Sequence, residues 1–230
     1  MAISQAQAYA VGSGTNTATA SLASTPTEGN LLIAVGSSST GELAGASLTG
    51  WTLVTSAEYS LTAHLVVILW YKIAGAAESK DVTLNWTTGG TVRLVIEEWR
   101  GLHPTSPLDK SAKHDNDNST YTSWSSGTTA TTSVGDELWY AAFRTNAAVT
   151  NRSFSNSFTK SYDLSTFVTG FLVVSATAAA ETTYSWTTAA KCGGLVATFK
   201  VAPAANPACY IHARRDRMNT KGVSKQDSLA

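Results

Sequence analysis

The sequence predicts an all-β protein: an antiparallel, jelly-roll-like β-sandwich built from two pseudo-repeated halves, followed by a C-terminal extension. Three observations carry this reading. Apolar residues alternate with period 2 in segments bounded by Gly, Ser, Asn and Thr, and helical periodicity is hard to find. Hydroxyl residues dominate, with 33 Thr and 27 Ser among 230 residues. Thr favours strands because its β-branch fits a pleated surface, and Ser and Gly supply turns. The third observation is an internal duplicate with an offset of about 100 residues.

Taken in order, strands are predicted near Ala6–Val11, Ala18–Ala23, Leu31–Ser37, Trp51–Ala57, Ala63–Ile73, Val82–Trp86 and Thr91–Arg100. A long loop follows. Then come Tyr121–Trp124, Thr128–Ser133, Glu137–Thr145, Ser157–Asp163, Phe167–Ala176, Thr182–Trp186 and Leu195–Val201. Side chains alternate across a strand. In Ala63–Ile73, Leu65, Val67, Leu69, Tyr71 and Ile73 therefore share a core-facing side, and His64, Trp70 and Lys72 share the other. In Thr91–Arg100, Val92, Leu94 and Ile96 face one way, and Arg93, Val95, Glu97 and Trp99 the other.

The duplicate is visible in matched segments. Gly29-Asn30-Leu31-Leu32-Ile33-Ala34-Val35 answers to Gly135-Asp136-Glu137-Leu138-Trp139-Tyr140-Ala141. Val82-Thr83-Leu84-Asn85-Trp86 answers to Thr182-Thr183-Tyr184-Ser185-Trp186, and Val92–Ile96 to Leu195–Phe199. The pseudo-repeats span about 15–101 and 121–201 within a sandwich of residues 1–201. Each half shows about five clear strands, so the expectation is that the two close face to face over one shared core. Two separate sandwiches are the alternative.

Composition bounds the function. Charged residues are 14% of the chain and the formal net charge is zero, so the body offers no basic surplus for a phosphate backbone, and no specific nucleic-acid partner is expected. No apolar run approaches the roughly 18 residues of a membrane helix. Met1–Gln7 carry neither Lys, Arg nor a continuous apolar core, so a cytosolic folding site is expected. A hydroxyl-rich exterior on a protein folded in a cytosol points to a virion component assembled in the host cytoplasm; a secreted protein whose leader has been removed is the alternative. There Cys192 and Cys209 are expected to remain free thiols rather than a pair.

The order of several segments resembles a family of β-sandwich modules in bacteriophage virion proteins, of minor tail and decoration type, also seen in bacterial surface proteins. The residues that carry it are Gly29–Val35, Gly50-Trp51-Thr52-Leu53-Val54, Trp70–Gly75 with Glu78, Glu98-Trp99-Arg100-Gly101-Leu102 and Pro107-Leu108-Asp109. The similarity covers roughly residues 15–200. It implies a virion or surface module and brings no catalytic residues.

No constellation for catalysis is assembled. Glu97 and Glu98 point to opposite faces of a strand, whereas a retaining glycosidase needs carboxylates about 5 Å apart on one surface. His64, His103, His114 and His212 are scattered, without a nucleophile elbow or a phosphate loop. Asp115-Asn116-Asp117-Asn118 offers closely spaced oxygens for Ca²⁺ but lacks the Gly and terminal Glu of an EF-hand, and reads as a turn-forming loop. No catalytic residue, metal ligand or cofactor is assigned. Of the seven tryptophans, Trp86 and Trp186 hold matching repeat positions and are expected to pack. Trp70 and Trp99 lie on the less apolar faces and are the candidates for partner or host-glycan contact.

Residues 202–230 read as a Pro-containing linker and a basic arm, with five Lys/Arg against two Asp. Tyr210, Ile211, Arg214, Arg215 and Arg217 are expected to dock on neighbouring subunits, the arginines meeting acidic groups. The functional expectation is a non-enzymatic virion structural protein whose partners are other virion proteins and copies of itself. The alternative is a carbohydrate-binding or adhesion module.

Overall fold

The computed structural model of the protein describes residues 2–60, 65–88 and 90–203. Among them are sixteen strands, all paired antiparallel, a single 3-10 turn at Leu43–Gly45 and no α-helix. The first eight are β1 (Ser4–Thr15), β2 (Thr17–Ser21), β3 (Leu31–Ser38), β4 (Ala46–Ser47), β5 (Thr52–Ser60), β6 (Leu65–Ile73), β7 (Asp81–Trp86) and β8 (Thr91–Arg100). The second eight are β9 (Leu108–His114), β10 (Tyr121–Ser125), β11 (Asp136–Thr145), β12 (Ser153–Phe154), β13 (Thr159–Leu164), β14 (Phe167–Ser175), β15 (Thr183–Ala190) and β16 (Cys192–Lys200).

These strands make four sheets, in the orders β1-β8-β3-β6-β5, β2-β7-β4, β13-β14-β11-β16-β9 and β10-β15-β12. Adding eight to each number of the first two orders reproduces the last two. Each half is thus a complete eight-stranded jelly roll, with its fifth strand carried onto the edge of the larger sheet. The all-β, jelly-roll-like class and the internal duplication read in the sequence are present. The core expected between the two halves is present, but it is not the single core: each half supplies eight strands rather than five and also closes a core of its own.

Among the described residues there are three apolar cores in a four-layer stack. The first lies between the sheets of the first jelly roll, where Leu84 and Trp86 of β7 meet Leu32, Ile68 and Trp70 of the larger sheet. The third is its counterpart, with Trp124, Tyr184 and Trp186 over Trp139, Phe143 and Val196. The second joins the two five-stranded sheets back to back: Leu31, Ile33, Val67, Leu69 and Trp99 against Leu138, Tyr140, Leu195 and Phe199. The central strands of the larger sheets, β3, β8, β11 and β16 above all, are therefore buried on both faces. Burial of each such aliphatic side chain stabilises by roughly 1.5–3 kcal/mol.

The seam has the exchange pattern of a two-fold axis. Trp99 lies across from Leu31 as Phe199 lies across from Leu138, and Tyr71 across from Ile33 as Phe171 lies across from Tyr140. Trp99 packs edge-on against Phe171 with centroids 4.7 Å apart, and Tyr71 packs edge-on against Phe199 at 5.9 Å. The two pairs are one contact repeated with the halves exchanged. At the sheet edges Tyr9 of β1 meets Tyr162 of β13, and β5 packs against β9. Residue i touching j while j touches i is the mark of an isologous interface, here within one chain.

The two-residue strands β4 and β12 were not read in the sequence, and two longer readings change. Leu108–His114, read as part of a long loop, is strand β9. It is a half-exposed edge strand whose Leu-Asp-Lys-Ser-Ala-Lys-His run lacks an apolar side. Thr128–Ser133 is not a ladder strand. Its Thr-rich run makes an isolated bridge from Thr131 to Ala179, and Thr129 and Thr132 donate singly to Ala180 and Ala178. High β-propensity there is spent on local hydroxyl bonds instead.

Close packing in the second jelly roll depends on a glycine. A Cβ on Gly194 of β16 would lie 2.6 Å from the Ser125 carbonyl and 2.5 Å from the Phe143 ring opposite it. Gly194→Ala is expected to cost about 1–3 kcal/mol through overpacking. A lowered thermal midpoint would show it, and an unchanged midpoint would contradict this packing.

Candidate functional site

Trp70 and Trp99 are not surface residues. Trp70 is 5% exposed within the first core and Trp99 is 1% exposed at the seam. The expectation that they offer a partner or glycan platform is therefore corrected. Their strands do have a less apolar face, but a second sheet covers that face as well. Trp86 and Trp186 are buried, as their matching positions predicted. Tyr210, Ile211, Arg214, Arg215 and Arg217, with His64, Cys209 and His212, lie outside the described residues. Cys192 is a free, fully buried thiol whose pKa burial pushes up.

The adjacent carboxylates do point apart. Glu98 turns toward the loop after β2 and accepts bonds from Thr27 N (2.8 Å), Asn30 Nδ2 (2.5 Å) and Gln7 Nε2. Glu97 turns into the seam. There Tyr140 Oη donates to its Oε1 at 2.6 Å, Thr169 Oγ1 reaches the same oxygen at 3.4 Å, and Gln5 Nε2 donates to Oε2 at 3.1 Å. Glu97 is fully buried, and that burial raises its pKa against the opposing pull of the Tyr140 hydroxyl. This knot draws on β1, β8, β11 and β14 and ties one jelly roll to the other. Glu97 and Tyr140 are sealed at its centre and half-buried Gln5 forms its rim, so the knot fastens the two sheets together.

A second buried acid was not singled out in the sequence. Glu137 begins the inner run of β11 with both carboxyl oxygens sealed and without a partner at hydrogen-bond distance. Burial pushes its pKa up to about 7; the Thr198 hydroxyl opposes this and the Asp109 carboxylate adds to it. Asp109 is held by Ser133 N at 2.6 Å and Ser133 Oγ at 2.7 Å, and its pKa is lowered: burial pushes it up, but the Ser133 bonds outweigh it. Carboxyls with pKa values pushed apart mark many acid–base sites. Here the raised partner is inaccessible, so no substrate reaches it.

The Asp115–Asn118 run spends its oxygens on its own neighbourhood. Asp115 takes Glu58 N and the Lys113 ammonium, Asn116 caps Asn118 N, and Asp117 takes Ser119 N and Tyr121 Oη. His103 accepts from Ser106 N, and His114 stacks on Trp124. Among the described residues no three His, Cys, Asp or Glu side chains are grouped to hold a metal, and no helix is long and apolar enough to cross a membrane.

Two surface features remain. One is an open cleft of about 320 Å³ at one end of the seam, lined by Ala2, Ile3, Asp136, Val173, Val174, Ser175 and Val201. Both ends of the described chain converge here: Val201 bridges to Leu102, and Ala202 N donates to Gly101 O. Val173, on its wall, is 44% exposed. The other is a groove of about 220 Å³ on the first jelly roll, beside Trp51, Lys72, Glu78 and Asp81. Trp51 is half-buried while the other six tryptophans are buried. Its place after Gly50, at a turn with φ +81°, was the available sequence signal. A tryptophan on a turn is covered on one side only.

No family model matches the chain, and no curated protein matches it. Among solved structures, oxalate decarboxylase from Bacillus subtilis at pH 4.6 aligns over 97% of this chain and 83% of that one, with 8% identity and a TM-score of 0.21. A likeness that slight carries no argument about fold or chemistry.

Proposed function

We propose that the protein is a non-enzymatic structural component of a virion, on the tail or the capsid surface, assembled in the host cytoplasm and docked on neighbouring subunits. The observation that supports this reading most is the seam-end cleft. It is an open recess that sets Ile3, exposed Val173 and Val201 beside Asp136 and Ser175, at the point where the chain leaves the second jelly roll toward the basic stretch 204–230. Mixed surface of this kind, with valines at its centre, suits a protein interface, with Arg214, Arg215 and Arg217 suited to acidic groups around it. Two jelly rolls locked through a common core also make a rigid block, which a particle component requires.

The test is physical association with particles. Virions purified from the phage that encodes the chain should contain it in fixed proportion to the other structural proteins, by mass spectrometry. A chain ending at residue 203 should fold but be lost from those particles. Absence of the full chain from the particles would overturn the reading, and normal incorporation of the shortened chain would overturn the role given to residues 204–230.

A further inference from the structure

We infer that the groove beside Trp51 is a binding site for an uncharged pyranose sugar. The inference does not rest on the virion reading. The site is built from three local devices. The turn Leu48–Trp51, closed by Trp51 N donating to Leu48 O at 3.3 Å, sets part of the indole against the first core and leaves the rest open. Its ring N–H makes no hydrogen bond among the described residues. Opposite it, Lys72 at the end of β6 pairs with Glu78 at 2.8 Å, and Gly75 N holds the other Glu78 oxygen at 3.2 Å. At the mouth, Ser79 Oγ bridges the backbone N–H and C=O of Asp81. That fixes the start of β7 and leaves the exposed Asp81 carboxylate without a partner among the described residues.

The chemistry of this set is that of sugar recognition. An indole offers an apolar face for the C–H side of a pyranose ring together with a polar N–H. A carboxylate accepts from two adjacent hydroxyls, and an ammonium donates to ring or hydroxyl oxygens. A purely apolar ligand would leave Asp81 desolvated and unpaired, which is costly. Charge narrows the class further. Lys72 against Glu78 and Asp81 sums to one negative charge, which disfavours uronic, sialic and sulfated sugars. Glu78 and Lys72 are already held in place, so little ordering is needed on binding.

The test uses the full chain, labelled with ¹⁵N, titrated with methyl glycosides of glucose, galactose and mannose and with glucuronate. The Trp51 indole N–H resonance, assigned from Trp51→Phe, should shift and saturate with at least one neutral glycoside and stay put with glucuronate. Saturation-transfer contact should weaken at least ten-fold in Trp51→Ala and in Asp81→Asn, and be largely retained in Trp51→Phe. Because Asp81 is exposed, Asp81→Asn keeps the test valid if Trp51→Ala misfolds. No shift with any neutral glycoside at tens of millimolar, or binding unchanged in Asp81→Asn, would overturn the assignment. A silent groove on a particle-bound protein would sink this inference alone.

Discussion

Replacing Trp99 with alanine is expected to remove about 3–5 kcal/mol of stability, the range for emptying a buried Trp site. The indole is sealed between the two five-stranded sheets, with Phe171 edge-on at 4.7 Å and Leu31 across the ladder. Its neighbours are held in ladders on both sides and cannot collapse into the space. Urea denaturation followed by far-UV circular dichroism should show the midpoint falling far, with Trp99→Phe falling less. Were Trp99 instead a surface platform, the change would stay within about 0.5 kcal/mol. A result that small would dismantle the back-to-back packing and with it the account of the seam.

Stability should also fall as pH rises from about 4.5 to 8. Glu137 has a folded-state pKa of about 7 against an ordinary 4.5. Below 4.5 both the folded and unfolded chains hold its proton, and it contributes no pH dependence. Between 4.5 and about 7 the unfolded chain releases the proton while the folded chain keeps it, so stability declines by about 1–3 kcal/mol. Above about 7 both are ionised and this decline stops. Glu97 is shifted in the same direction and adds to the loss. Asp109 and Asp117 are shifted downward and weaken the fold only as pH falls below about 4, outside this window. Glu137→Gln should flatten the profile and leave the variant more stable than the wild type at pH 8. A wild-type profile that is flat, or a variant profile with the same slope, would refute the assignment of Glu137 as a buried neutral acid.

Local pattern carried much of this architecture. Thr91–Arg100 was delimited to the residue, and Leu31–Ser37 and Phe167–Ala176 to within one, because long strands with apolar residues on both faces stand out between turns. Short or edge strands did not. Leu108–His114 is half solvated, and Ala46–Ser47 and Ser153–Phe154 are two residues each; none leaves an apolar imprint. Missing those three concealed that each half was a full jelly roll. The candidate site was less legible. Trp51 sits on a short turn among polar residues, and the residues beside it come from three separate stretches of chain.

Alternation along each strand, the turns between strands and the offset of about 100 residues are written in the amino-acid order, because each depends on neighbours a few positions away. They determined an all-β class, a duplication and the burial of the matched pair Trp86 and Trp186. What covers each face of a strand depends on residues that are often more than 100 positions distant, such as Phe199 against Tyr71, and only the packed stack decided it. Alternation divides side chains into two sets without saying that both sets are sealed. Sheets sandwiched between other sheets therefore took Trp70 and Trp99 from the surface into the interior, and left Trp51, on a turn beside the first core, half-buried.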